Sequence, residues 1–121
     1  MSKLQKGFTM IELVMVIVIL GILAATAIPK FVDLSAQAQV AAVNGVAGGL
    51  GSANAINYAA SAAGAGATAI ANCNESDTLL LEGALPAGMS INNVAIAAGV
   101  AEPTCAVTDG TTTVTFVGFG V

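Results

Sequence analysis

The stretch Phe8 to Ile28 reads FTMIELVMVIVILGILAATAI, and its character decides what the rest of the chain can be. Glu12 is its only charge, and Thr9 and Thr26 are its only other clearly polar side chains. At about 1.5 Å of rise per residue, a helix of this length reaches roughly 30 Å, the thickness of the hydrocarbon layer of a bilayer. A surface helix needs an apolar stripe on one side only. This run is apolar all round and must be hidden all round, in lipid or among other helices. Glu12 is then the anomaly, because a carboxylate in the apolar part of a spanning helix costs about 2.5 to 3.5 kcal/mol and asks for a partner. The run contains no cation, and the nearest, Lys3 and Lys6, lie beyond Gly7. A cut between Gly7 and Phe8 would supply one. The new amino group would sit about one turn from Glu12, with the carboxylate at the favourable end of the helix dipole.

The order Lys6-Gly7-Phe8-Thr9-Met10-Ile11-Glu12-Leu13, followed by the unbroken apolar run, resembles the processing site of type IV prepilins. That family includes the pseudopilins of type II secretion. The short leader, Met1 to Gly7, and Phe as first mature residue resemble the type IVa subclass. The remainder is similar in architecture only, most closely to pilins of the mannose-sensitive haemagglutinin type. The resemblance implies that a prepilin peptidase cuts after Gly7 and methylates the new amino group of Phe8. It also implies that Glu12 docks a subunit against its neighbour's amine. Gly21 and Pro29 match positions between which related filament subunits lose helical order.

The fold expected is α+β: a long N-terminal helix packed on a small antiparallel sheet. It divides into a leader at 1–7, a membrane and filament-core helix at 8–28, an amphipathic half at 29–58 and a globular head at 59–121. The partners implied are further copies of the chain along the N-terminal helix, the prepilin peptidase and methyltransferase, and the pilus or secretion assembly machinery. Before assembly the chain would cross the inner membrane once, with its C-terminal part periplasmic. After assembly it would lie in a cell-surface pilus.

Composition agrees with this outline. The chain of 121 residues has room for one domain, and its formal charge is −4. Lys3 and Lys6 keep the leader on the cytoplasmic side. Once the leader is removed, Lys30 stands alone against seven Asp and Glu residues. Such a surface is poor for nucleic acid, whose binding depends on Lys and Arg at phosphates. Charged residues make up only 8% of the chain, which suits packing against copies of itself better than life as a solvated monomer. Cys73 and Cys105, an even pair in an exported chain, read as a disulfide. Closing the loop between them is worth about 3 to 4 kcal/mol by chain entropy, support that a small head of limited core requires.

Along the chain, Pro29 lacks an amide donor, so a kink or local opening is expected near Ala25 to Ile28. Phe31, Leu34, Ala38, Ala41 or Ala42, Val46, Leu50, Ala53 and Ile56 or Asn57 recur at helical spacing and predict the buried face. Gly45, Gly48, Gly49 and Gly51 read as sites of close sheet approach, since no lysine follows as a phosphate-binding loop requires. Ala59 to Ala71 is a small-residue tract in which the helix frays into a loop. Asp77 is the expected cap of a short helix through Leu79 to Leu81, ended by Gly83. Met89 to Ile96 is predicted as a strand. Cys105 to Thr108 and Thr111 to Val117 are predicted as a hairpin turned tightly at Asp109-Gly110. Phe116 and Phe119 should pack the sheet on the helix.

No enzyme is legible. Without histidine, a base-paired nucleophile or a carboxylate dyad, no acid-base set can be named, and no cofactor is implied. Glu75, Asp77 and Glu82 suggest calcium by charge, but their spacing fits no calcium loop and no metal is expected. Phe8, Phe31 and Tyr58 are too sparse on the helix for a conducting aromatic path. The reading is therefore a structural subunit of a type IV pilus, used for adhesion or motility. The alternatives are a type II secretion pseudopilin or a minor pilin. A more remote one is a small secreted disulfide protein cleaved after Ala25-Thr26-Ala27.

Overall fold

A computed structural model describes residues 7–121, with only the backbone described at Val32 and Asp33. The helix α1 spans Met10–Ala62 and the strands are β1 at Ser90–Ile91, β2 at Ala101–Thr108 and β3 at Thr113–Phe119. A 3-10 helix occupies Cys73–Leu79. The architecture is the α+β one expected: a long N-terminal helix and a three-stranded antiparallel sheet in the order β1-β2-β3. The chain forms two compact units that divide between Gln37 and Ala38.

In the first unit, α1 begins at a reciprocal cap. Glu12 N–H donates to Thr9 Oγ1 at 3.4 Å while Thr9 N–H donates to the Glu12 carboxylate at 2.8 Å. The local opening expected near Ala25 to Ile28 is absent, for the helix runs without a break through Gly21 and Pro29. A proline removes a single amide donor, and the bonds on either side carry the helix past it. One turn earlier, the Thr26 hydroxyl donates to the carbonyls of Ile22 and Leu23.

In the second unit the buried face of α1 is Val43, Ala47, Leu50, Asn54 and Asn57, spaced by alternating steps of four and three. This corrects the predicted face. Leu50 and Asn57 are on it, but Phe31, Leu34, Ala38 and Ile56 are exposed. Apolar and small residues occur on every side of this helix, so periodicity alone does not say which stripe meets the sheet. The glycines also differ from expectation. A Cβ added at Gly45, Gly48 or Gly49 would meet nothing within 4 Å, and only Gly51 comes up to the sheet, at 4.0 Å from Phe116 Cβ.

Helix α1 ends where Gly64 adopts φ of 67°. Ala65 N–H donates to Ala60 O and Gly64 N–H to Ser61 O, the paired bonds of a glycine C-cap. The 3-10 helix replaces the short helix predicted at Leu79 to Leu81. Its cap is Asn72 with Glu75, not Asp77, because the Glu75 carboxylate accepts from the backbone amides of Ala71 and Asn72.

The core joins the α1 stripe to Ile70, Cys73, Ile96, Cys105, Val107 and Phe116. Tyr58 and Phe119 stack with ring centroids 5.1 Å apart, so both predicted phenylalanines do join sheet to helix. The Cys73–Cys105 disulfide is present, with Cα atoms 5.4 Å apart. Within β3 and after it, two glycines are required by close approach. A Cβ at Gly118 would lie 2.6 Å from Cys105 Sγ and 2.8 Å from Ile96 Cδ1, and one at Gly120 would run into the carbonyl of Ala97.

The strand predicted at Met89 to Ile96 is confined to Ser90–Ile91. From there the side chain of Asn92 takes over the ladder, donating to Thr104 O at 2.8 Å and accepting Ala106 N–H at 2.8 Å across the irregularity between Glu102 and Cys105. The hairpin is present but its turn is longer than the tight two-residue form. Asp109 to Thr112 connect β2 and β3, and Asp109 Oδ1 accepts the amides of Thr111 and Thr112, while Gly110 takes φ of 90°.

Candidate processing and assembly site

The residues singled out at the N-terminus form a short open segment ahead of a capped helix. Phe8 is 90% exposed, and a side chain at Gly7 would meet nothing within 4 Å. The leader residues Met1 to Lys6, including Lys3 and Lys6, lie outside the described residues. Glu12 stands in the first turn of α1, where the carboxylate faces the unpaired amides of the helix start. Its Oε2 accepts both the backbone N–H and the hydroxyl of Thr9, each at 2.8 Å. Thr9 is the residue that sequence reasoning overlooked here. Its signal was present as Thr-x-x-Glu directly before an apolar run, the pattern of a capping box.

Beyond Glu12 no side chain from Leu13 to Phe31 is buried in the chain, and the large apolar ones project outward on every side. Among the described residues, α1 is long and apolar enough to cross a membrane. Gly21 and Pro29 both lie within it as ordinary helical residues. The disulfide cysteines lie far along the chain, in the second unit, and belong to its core rather than to this segment.

Other polar residues that the sequence brings to notice serve the fold. Glu75 is lowered from the usual carboxylate value, first by the amide of Ala71, then by the side chain and the amide of Asn72. Glu102 is lowered by the Thr104 hydroxyl and amide. Asp109 is lowered by the amides of Thr112 and Thr111. Asn54 is fully buried. It donates to Leu50 O and accepts the Ser76 hydroxyl at 3.3 Å and Phe119 N–H at 3.5 Å.

An exposed apolar helix opened by a capped glutamate, continuing into a disulfide-closed α+β unit, is the architecture of a pilin-like protein. The family model of the prokaryotic N-terminal methylation motif matches residues 2–28. The type IV narrow pilus major component PilA5 of Thermus thermophilus is 59% identical over 51 residues, covering 42% of this chain and 44% of that protein. The type IV major pilin PilE1 of Neisseria gonorrhoeae is 62% identical over 40 residues, 33% of this chain and 24% of its own. The fimbrial protein EcpC of Eikenella corrodens is 49% identical over 49 residues, 40% of this chain and 32% of its own. The chain thus matches less than half the length of each of these relatives. No solved structure matches it. In its N-terminal motif and over the length that these relatives share with it, the chain is similar to type IV pilins.

Proposed function

We propose that this chain is the precursor of a structural subunit of a helical type IV filament. A prepilin peptidase cleaves it between Gly7 and Phe8 and methylates Phe8. The observation that supports the reading is the outward-facing apolar helix that begins at Met10 with Glu12 in its first turn, which needs a nonaqueous environment that the chain itself does not provide. The inner membrane supplies that environment before assembly, with the C-terminal part on the periplasmic side, and sister helices supply it afterwards. Head-to-tail contacts that do not close into a ring generate a fibre. Glu12 selects the register, because a subunit seated wrongly leaves its carboxylate buried without the neighbour's amine. The helical order between Gly21 and Pro29 gives way on assembly, where the proline has already removed one bond.

The test begins with mass spectrometry of native material. A chain starting at methylated Phe8 and found in fibres supports the reading. A chain starting at Ile28 and secreted as a soluble monomer overturns it. Long surface fibres are expected, whereas short periplasmic ones would assign the chain to type II secretion instead. Glu12→Ala should be processed and inserted normally yet yield at least about tenfold fewer fibres, the scale of leaving one buried charge unpaired. Normal fibre yield from that variant would remove the docking role.

A further inference from the structure

The second unit carries an open apolar groove of about 440 Å³, lined by Gly45 and Gly49 of α1 and by Leu80, Leu81 and Pro86, with Glu82 among its walls. That volume lies in the range of about 300 to 1,000 Å³ typical of ligand pockets. Leu81 is fully exposed, and a Cβ added at either glycine would meet nothing within 4 Å, so this part of the groove is left open by the chain's own packing even though Leu80 also leans on the core. We propose that the groove receives the segment around Phe31 and Leu34 of a second copy of this chain, with Lys30 of that copy paired to Glu82. The proposal rests on the filament reading above.

Charge complementarity selects this occupant. After Gly7 the sequence contains one cationic side chain, Lys30, so any ion pair between side chains in a polymer of the mature chain uses it. Of the acidic side chains described, Glu12, Glu75, Glu102 and Asp109 hold their carboxylates on nearby amides and hydroxyls. Asp77 and Glu82 do not, and of these two only Glu82 lines the groove. Beside Lys30, Phe31 is 74% exposed and Leu34, one turn on, is 58% exposed. A cation followed by two outward apolar side chains, one beside it and one a turn on, is the complement of an apolar groove with one free carboxylate. The glycines let the incoming side chains approach the helix backbone closely. The ion pair, exposed at the rim, sets the register and contributes little affinity, whereas the apolar seat supplies the attraction.

Charge reversal in the full-length chain tests the pair. Lys30→Glu and Glu82→Lys should each lower fibre yield about fivefold, the upper end of what an exposed pair is worth, and the double reversal should restore it to near the starting level. Gly49→Leu fills the groove and should lower the yield about tenfold, the order expected of an overpacked contact. Folding is controlled by circular dichroism and protease resistance, which Gly49→Leu leaves unchanged because its Cβ meets nothing within 4 Å. Cysteines placed at positions 30 and 82 should give a ladder of oligomers on oxidation of assembled fibres. Fibres that form normally from every variant, or cross-links confined to one chain or made to a different protein, overturn the proposal. If the unaltered chain forms no fibres, it is the filament reading that fails.

Discussion

Helix α1 is one element of secondary structure placed in two different situations. Up to Gln37 every apolar side chain that is described faces outward, and the one described carboxylate leans on its own cap. From Ala38 onward it presents a stripe to a core in which apolar and polar residues are both satisfied. There Asn54 and Asn57 lie beside Val43 and Leu50, and no buried polar side-chain atom among the described residues lacks a partner. The first stretch has the chemistry of a surface awaiting a solvent other than water. The second buries its inward stripe within the chain itself. A helix can serve both ends because its backbone bonds are internal and make no demand on the surroundings. The side chains alone decide what each half must meet.

The difference between the two stretches can be tested directly. The largest effect is expected from the Cys73–Cys105 bridge: reduction should cost the second unit about 3 to 4 kcal/mol and speed its proteolysis, while leaving the first stretch in the membrane. Equal protease resistance with and without reductant would show that the core holds without the bridge. Next is Gly120→Val, which drives a side chain into the Ala97 carbonyl and should cost about 3 kcal/mol in a denaturant titration. A smaller loss, about 2 kcal/mol, is expected for Asn54→Ala. That change leaves the buried Ser76 hydroxyl, and the half-buried Phe119 amide, without their acceptor.

The smallest effect is with pH. Glu75 is lowered from an ordinary 4.5, chiefly by the Ala71 amide, so its contribution is complete above that value and disappears as pH falls through the lower folded one. Glu102 and Asp109 act in the same sense. Thermal midpoints of the second unit should be level above about pH 5 and decline in stronger acid. The deficit of Glu75→Ala at neutral pH should shrink there. A deficit independent of pH would assign Glu75 a packing role.

The parts of the molecule legible in the sequence are those whose cause is local. The apolar run, the cysteine pair and the presence of a hairpin around Asp109-Gly110, though not its tight turn, each carry their meaning within a few residues or in their chemistry. The misreadings lie where the cause is remote. Asn92 ends β1 because its side chain reaches Thr104 and Ala106. The glycine cluster of α1 reads as a site of sheet approach, yet it is Gly118 and Gly120, in and just beyond β3, that close packing requires.

Taken alone, the sequence determined that a helix begins after Phe8, that its first half cannot rest in water, and that a disulfide-closed α+β unit follows. Hydrophobicity and capping act over one or two turns and need no other part of the chain. Only the tertiary structure decided that Val43, Ala47 and Leu50 are the face turned inward and that Gly45 and Gly49 border an open groove. The choice among equally small and apolar faces is made by which one the sheet, the bridge and the buried asparagines can fit together.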